Sequence, residues 1–296
     1  MRIAVIQLGY DDREPVADRV TRAGDLVRDQ AGHDLVVLPE LWAPGGFSYQ
    51  QWDERAEAVD GPIASAMSAA ARDAGVMLHG GSIVERPEGG VRGPEGKDLW
   101  NTSLVFAADG SLAATYRKIH RFGFGQGEPL LMEAGDALSM VDVPDSSPTS
   151  GPTRAALSTC YDLRFPELYR AQLDAGATLF VIPAAWPAAR VRHWTLLAHA
   201  RAIENQCVVV ACNTAGTHAG VEMGGHSQVV LPTGDVAAMA GTDEQVLSVE
   251  VDMNVVTDYR ASFPVLQDRR LPLKPSDVHS SDTHSTSAHS TPTGPT

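Results

Sequence analysis

Short apolar segments typical of β-strands alternate with helical segments along most of the chain, and this alternation constrains the fold most strongly. Apolar residues recur at helical spacing in residues 16–30, whereas residues 35–38 form a short, wholly apolar run. The predicted elements of the first half follow the order β-α-β-α-β-β-β, which repeats in outline in the second half. The predicted strands are 3–8, 35–38, 76–84, 100–107, 112–116, 138–143, 153–159, 177–183, 207–213 and 245–251, and the predicted helices are 16–30, 62–74, 165–175 and 190–205.

Hairpin signals interrupt this alternation, so a purely parallel sheet is not expected. Asp109-Gly110 lies between two predicted strands, and Thr233-Gly234-Asp235 precedes the last one. Strands that pair in both directions, with helices outside them, form mixed sheets. We therefore predict an α/β protein in which two stacked mixed sheets are covered by helices.

The chain has 296 residues, 43% of them hydrophobic, which is enough for a sizeable core. We predict one folded domain over residues 1–270 and an extended, disordered tail over residues 271–296. From Ser276 onward the tail is composed of Ser, Thr, His, Pro and Gly with scarcely an apolar residue, so it cannot form a core. Its histidines, His279, His284 and His289, could bind a metal weakly, but a solvated tail is the simpler interpretation.

The charge balance points to a small-molecule ligand. With 23 Lys and Arg against 37 Asp and Glu, the net charge is −14, which argues against nucleic acid or an anionic membrane surface as a partner. Three cysteines form neither a disulfide framework nor a zinc-site spacing, and they favour a reducing compartment. No secretion signal or spanning segment is evident, so we expect a cytoplasmic protein.

Three predicted strands end at ionisable residues, and together these residues suggest covalent catalysis. Glu40 follows the strand 35–38, Lys118 follows the strand 112–116, and Cys160 follows the apolar run 153–159. A thiol at a strand-to-helix turn lies beside unpaired N–H groups, which favour the thiolate. If the strand ends converge, a thiol, a carboxylate and an ammonium meet, and these groups suffice for acyl transfer through a covalent intermediate.

The sequence around these residues resembles the nitrilase superfamily of carbon–nitrogen hydrolases, whose members carry Glu, Lys and Cys in this order. The resemblance rests on Leu38-Pro39-Glu40, on Tyr116-Arg117-Lys118-Ile119-His120 and on Cys160-Tyr161-Asp162-Leu163-Arg164-Phe165-Pro166-Glu167. It implies that residues 1–270 form a four-layer α-β-β-α sandwich, without a metal or organic cofactor. It also implies a homodimer or larger homo-oligomer, to which the apolar arm 263–266 could contribute.

The resemblance also implies roles for the site residues. Glu40 would take the thiol proton, Cys160 would attack the substrate carbon, and Lys118 with the backbone N–H of Tyr161 would hold the oxyanion. Many members carry a second glutamate between the lysine and the cysteine. Glu128 and Glu133 are the candidates here, and the spacing to the following glycine, Gly135, favours Glu128.

Other residues near these motifs are candidates for substrate binding. The set is Arg164, Trp186, Arg190 and His193, with Arg121 and Arg192 as further candidates for a substrate carboxylate. Packing or an interface is an alternative role for several of them. Cys207 and Cys212 lie within apolar sequence and are expected to belong to the core.

The function predicted from the resemblance is cysteine-dependent hydrolysis of a non-peptide C–N bond. The favoured reaction is release of ammonia from a small linear amide through a thioester, as in ω-amidase-like members. Nitrile hydrolysis and N-carbamoyl amino acid hydrolysis would use the same triad and stay open. A catalytically silent interaction scaffold is a third alternative, against which the intact Glu40, Lys118 and Cys160 argue.

Overall fold

Two six-stranded mixed sheets form the centre of the molecule. The structure is a computed structural model that describes residues 1–145 and 153–271. Its strands are β1 (Arg2–Gln7), β2 (Gly9–Asp11), β3 (Leu35–Val37), β4 (Met77–Glu85), β5 (Trp100–Phe106), β6 (Leu112–Arg117), β7 (Met140–Val143), β8 (Thr153–Leu157), β9 (Leu179–Ala184), β10 (Val208–Asn213), β11 (Ala215–His218), β12 (Val221–Glu222), β13 (Gln228–Val230), β14 (Val236–Met239) and β15 (Gln245–Glu250). Its α-helices are α1 (Val16–Arg28), α2 (Pro62–Ala74), α3 (Glu128–Leu131), α4 (Pro166–Asp174), α5 (Val191–Asn205) and α6 (Asn254–Ser262).

Both large sheets combine parallel and antiparallel pairs, as the hairpin signals predicted. The first sheet has the order β15-β1-β3-β4-β5-β6, and the second has the order β14-β13-β10-β9-β8-β7. Strands β1, β3 and β4 pair in parallel, and β15, β5 and β6 add antiparallel edges. In the second sheet β8, β9 and β10 are parallel. A small third sheet joins β2, β11 and β12.

The alternation of side chains along the strands creates the layers. Ile3 and Val5 of β1 face inward, where they join a core shared with β8, β9 and β10 of the second sheet. Ala4 and Ile6 face outward and pack with the apolar sides of α1 and α2. On the second sheet the outward residues pack with α4 and α5. The order of layers is therefore helix, sheet, sheet, helix, and the predicted α-β-β-α sandwich is confirmed.

Most predicted helices have the expected ends. Pro62 opens α2, and Gly75 closes it in a left-handed conformation with φ of +66°, as expected for a glycine at this position. The helix predicted over residues 165–175 is present as α4, and a short 3₁₀ segment precedes it. Residues Cys160–Arg164 form a 3₁₀ turn, and the α-helix begins only at Pro166, because the Phe165 N–H bonds back to Asp162 and the proline then starts a new helix.

Cys207 and Cys212 lie in the core, as expected. Both are fully buried, and their thiols donate to backbone carbonyls. No helix within residues 1–145 and 153–271 is long and apolar enough to cross a membrane. Apart from Leu271, the predicted tail with His279, His284 and His289 lies outside the described residues.

Candidate active site

Glu40 lies in the loop that follows β3, and the loop is fixed to β4. The backbone N–H of Leu41 donates to Ser82 Oγ at 3.0 Å, and Trp42 Nε1–H donates to the Gly80 carbonyl at 2.9 Å. Both contacts are buried, so they hold the loop without competition from water. Glu40 itself is only 3% exposed.

Lys118 follows the last residue of β6 and extends the pairing with β5. Its backbone N–H donates to the Asn101 carbonyl at 2.9 Å. Tyr116, two residues earlier and therefore on the same face, is buried in the core between the sheets. The lysine side chain is directed to this interior, where it is 2% exposed.

Cys160 lies at a strained turn between β8 and α4. Its φ is +49°, in the left-handed region that non-glycine residues rarely adopt. A capping box stabilises the turn, since the Thr159 N–H donates to Asp162 Oδ2 at 2.8 Å and the Thr159 side chain accepts a bond in return. Strain of this kind persists when surrounding contacts determine the backbone.

The fully buried Asp162 ties the cysteine turn to the lysine segment. Its carboxylate accepts hydrogen bonds from the Tyr116 hydroxyl at 2.8 Å and from the backbone N–H of His120 at 2.9 Å. His120 Nδ1 lies 2.8 Å from the same carboxylate. One carboxylate therefore fixes two segments that are remote in sequence, and with them the thiol relative to the ammonium.

The structure brings the four predicted catalytic side chains together. Lys118 Nζ donates to Glu40 Oε1 at 2.7 Å and to Glu128 Oε2 at 2.9 Å. The Cys160 thiol and the Glu40 carboxylate line the same pocket, and the second oxygen of that carboxylate accepts the Ala185 N–H at 2.9 Å. All four side chains are buried. A thiol, its base and an ammonium therefore share one enclosed site.

The electrostatics of this cluster favour a neutral thiol. Burial opposes the charge of Lys118, but the carboxylates of Glu128 and Glu40 outweigh it and raise the pKa of the lysine well above its usual range. Burial raises the pKa of Glu128, and Lys118 offsets only part of this. Burial, with the adjacent Glu40 carboxylate, raises the pKa of the Cys160 thiol well above its usual range.

The expectation that the turn favours the thiolate is therefore wrong. Cys160 is the first residue of a 3₁₀ segment of five residues, and the α-helix begins only at Pro166. With both carboxylates ionised and Lys118 protonated, the cluster already carries one net negative charge, and a thiolate would add a second in a site shielded from water. Nucleophilic attack by a neutral thiol would require a nearby base.

This charge balance predicts opposite effects of Glu40→Gln on alkylation and on turnover. Removing the adjacent negative charge lowers the pKa of Cys160, because the charge of Glu40 raises it. We expect iodoacetamide to modify Cys160 roughly tenfold faster at near-neutral pH in the variant, while ammonia release falls. Peptide mapping of the alkylated cysteine measures the first effect, with Cys207 as internal control. Slower alkylation in the variant would contradict this account.

Two small pockets meet at Cys160. One pocket, which we call the inner pocket, is lined by Glu40, Lys118 and Glu128 together with Tyr49 and Trp52. A second pocket, which we call the outer pocket, is also lined by Cys160. Its own lining residues are Tyr161, Arg164, Trp186, Pro187 and Arg190, and the two pockets share Phe47, Phe122, Cys160 and Ala185.

Three of the four residues predicted to bind substrate line the outer pocket. Arg164 lies over the Trp186 ring, with its guanidinium carbon 4.6 Å from the ring centre, and Arg190 lies 5.5 Å from the centre of the Phe122 ring. His193 does not line either pocket. It is exposed on α5, and its Nδ1 is 3.4 Å from the Arg164 guanidinium on the solvent side.

The other candidates from the sequence lie elsewhere. Arg121 donates to Glu95 and to the Met132 carbonyl, and Arg192 is exposed on α5. Glu133 is buried but accepts the backbone N–H of Lys97 at 2.9 Å, away from the ammonium of Lys118. Glu128, and not Glu133, therefore reaches the lysine, as the spacing indicated.

Several residues of the site were not assigned a role from the sequence. Asn101 donates to both carboxylates, Asp162 connects the two segments, and the aromatic residues Phe47, Tyr49 and Phe122 form the walls. Asp162 stands inside the cysteine motif and Phe122 follows the lysine motif, so proximity to Cys160 and Lys118 was the available signal. Within the described part of the chain, no group of three or more His, Cys, Asp or Glu side chains could hold a metal ion.

Comparison with known proteins gives consistent matches. The family model described as carbon-nitrogen hydrolase matches residues 2–261. A 2-oxoglutaramate amidase of Paenarthrobacter nicotinovorans is 46% identical over 90% of this chain and 89% of its own length. The ω-amidase of Homo sapiens is 35% identical over 91% of this chain and 95% of its own.

A solved structure agrees with these matches. A CN-hydrolase superfamily protein of Xanthomonas campestris, with an arsenic adduct in its active site, superposes with a TM-score of 0.80 at 32% identity. The superposition covers 92% of this chain and 97% of the other.

Proposed function

This chain belongs to the carbon–nitrogen hydrolase family and is an amidase, and we propose that it hydrolyses the terminal amide of a short 2-oxo dicarboxylic acid monoamide. One observation carries the proposal. Cys160 lines both the inner pocket, which Glu40 and Lys118 also line, and the outer pocket, which Arg164 and Arg190 also line. An amide in the first and a carboxylate in the second would belong to one short molecule.

In the proposed mechanism, the Cys160 sulfur attacks the amide carbon while Glu40 takes the thiol proton. The ammonium of Lys118 and the backbone N–H of Tyr161 stabilise the oxyanion. The C–N bond breaks, the leaving nitrogen takes the proton from Glu40, and ammonia departs from a thioester. Glu40 then accepts a proton from water as the water attacks the thioester. The C–S bond breaks, Glu40 returns the proton to the sulfur, and the acid and the free thiol are released.

The outer pocket supports an anionic substrate. Two guanidiniums lie among aromatic rings there, and arginine is suited to bind a carboxylate through paired hydrogen bonds. A chain of net charge −14 offers no long-range attraction for an anion, so local cations must supply it. The names of the relatives, 2-oxoglutaramate amidase and ω-amidase, support the same class of substrate.

We further propose a cytoplasmic homodimer or larger homo-oligomer. Three free, buried cysteines support a reducing compartment. Large apolar side chains on α5 and on the arm after α6 are exposed, namely Leu196, Ile203 and Phe263 at 58%, 48% and 53%. Apolar side chains exposed to this extent suit a subunit contact.

The proposed substrate class predicts a selective effect of Arg164→Met. We expect kcat/KM for a 2-oxo dicarboxylic acid monoamide to fall about 10- to 100-fold, mostly through KM, since a charged hydrogen bond to the substrate is lost. Hydrolysis of a neutral amide of equal length should change little. Ammonia release from a panel of both amide types, a nitrile and an N-carbamoyl amino acid measures this.

Arg192→Met provides the matched control, because Arg192 is an exposed arginine of α5 that lines neither pocket. It should behave like the wild type on every substrate. An equal loss on neutral and anionic amides in Arg164→Met would place the carboxylate elsewhere. A wild-type protein that released ammonia from no amide in the panel would overturn the proposed substrate class.

A further inference from the structure

Asn101 occupies a central place beside the catalytic cluster. It lies on β5, and its backbone carbonyl accepts the N–H of Lys118 at 2.9 Å, so the two residues are neighbours across the strands. Ser103, two residues along the same face, hydrogen-bonds to Thr159 at 3.0 Å, immediately before the catalytic cysteine. This face of β5 therefore supports both the lysine and the cysteine turn.

The Asn101 side chain donates to both carboxylates of the site. Its Nδ2 lies 2.8 Å from Glu40 Oε1 and 2.6 Å from Glu128 Oε1. Lys118 Nζ donates to the same two oxygens, at 2.7 Å and 3.0 Å. Two donors, one charged and one neutral, therefore bridge one pair of acceptors.

The orientation of this amide is set by the carboxylates. Asn101 is 3% exposed, and its Oδ1 is buried without a hydrogen-bond partner within the described residues. A buried carbonyl oxygen without a partner is unfavourable. The hydrogen bonds of Nδ2 at the other end of the amide must therefore stabilise this orientation of the Asn101 side chain. Turning the amide around would place its oxygen against two carboxylate oxygens, an arrangement without any donor.

We propose that Asn101 is a positioning residue of the amidase, whose amide nitrogen holds the Glu40 and Glu128 carboxylates in place around Lys118. This inference rests on the proposed function of that cluster. Glu40 must present one oxygen to the thiol while Glu128 stays on the lysine, although the two like charges repel each other. A second cation would hold Glu40 more tightly and make it a weaker base. A neutral amide supplies the second donor without that cost.

The arrangement has a consequence for pH dependence. The charged and titratable groups that face Asn101 and its two carboxylates are Glu40, Glu128, Lys118, Cys160 and Tyr49. A donor to a carboxylate favours its ionised form, and the Asn101 bond lowers the pKa of Glu128. Loss of the Asn101 donor should therefore raise the pKa of Glu128. As the pH is lowered, activity should then be lost at a higher pH than in wild type.

The test compares Asn101→Ala and Asn101→Asp with a matched control, Asn205→Ala. Asn205 is also a buried asparagine with an unpaired Oδ1, but its Nδ2 donates to the Arg201 carbonyl, remote from the site. We expect kcat/KM of Asn101→Ala to fall about 10²-fold, with the acid limb of its pH profile higher by roughly half to one unit. In Asn101→Asp the acid limb of the pH profile should lie at a still higher pH. In Asn205→Ala it should lie where it does in wild type.

A second measurement does not depend on turnover. Thermal unfolding should show that Asn101→Ala is less stable than wild type and that this loss of stability grows as pH rises. The reason is that a carboxylate whose pKa is raised in the folded state destabilises the fold when it ionises. The deficit of Asn205→Ala should not vary with pH. If wild type releases ammonia but neither the acid limb nor the pH dependence of unfolding changes in Asn101→Ala, the positioning role is wrong. If wild type releases none, the proposed function fails, and the unfolding series still decides the role of Asn101.

Discussion

Replacing Cys160 with alanine is expected to lower ammonia release by roughly 10⁴-fold or more, to the background of the assay. The sulfur is the atom that would carry the acyl group, and the other two cysteines, Cys207 and Cys212, line neither of the two pockets that Cys160 lines. The loss should appear in kcat for every substrate that wild type hydrolyses. Steady-state ammonia release at saturating amide measures it.

The control for this loss is Cys207→Ala. Cys207 is also a free, buried cysteine, but it lies immediately before β10 with its thiol against the Ala177 carbonyl. We expect this variant to retain wild-type kcat. Equal rates for wild type and Cys160→Ala would show that the sulfur is not the nucleophile and would support the scaffold alternative.

Lys118→Met is expected to reduce both activity and stability. Removal of an oxyanion donor alone costs about 10²- to 10³-fold in kcat. Loss of the cation also leaves Glu40 and Glu128 buried without their charged partner, which costs roughly 3–5 kcal/mol in the free energy of unfolding. Ammonia release and calorimetric unfolding of the same preparation measure the two losses.

The loss of unfolding free energy in Lys118→Met should increase as pH rises. Burial already holds the pKa of Glu128 above its ordinary value, and loss of Lys118 raises it further. The folded variant then keeps a proton that the unfolded chain releases, so stability falls as pH rises. The deficit should be smaller near about pH 5 than near about pH 8.

Arg28→Met is the control for Lys118→Met. Arg28 of α1 forms exposed ion pairs with Asp25 of the same helix and with Asp73 of α2. Exposed pairs contribute about 0–1 kcal/mol, so this variant should unfold almost as wild type at both pH values. If Lys118→Met lost as little unfolding free energy as Arg28→Met, the ammonium of Lys118 would not be stabilising the buried carboxylates.

The layered fold could be predicted because its signals are local. Ile3, Val5 and the apolar run 35–38 identify the strands, and Pro62 with Gly75 marks both ends of α2. The small third sheet could not be predicted, because β2 has only three residues and β12 only two. Segments so short show no periodicity, and their pairing depends on contacts that are distant in sequence.

The proximity of Glu40, Lys118 and Cys160 could be predicted because each follows a strand end beside a distinctive motif. The charge state of Cys160 could not, since it depends on the distance to Glu40 and on burial, which form only in the folded chain. Asn101 was missed for a similar reason. Its sequence context is an ordinary strand, and its importance comes from two carboxylates that are 61 and 27 residues away in the chain.

The most direct test of the central claim is the mass of the acyl-enzyme. Wild-type protein mixed with a 2-oxo dicarboxylic acid monoamide and quenched rapidly in acid should gain the mass of the substrate less ammonia, and peptide mapping should place it on Cys160. The adduct should be absent from Cys160→Ala. An adduct on any other residue, or ammonia release by Cys160→Ala at the wild-type rate, would contradict the account.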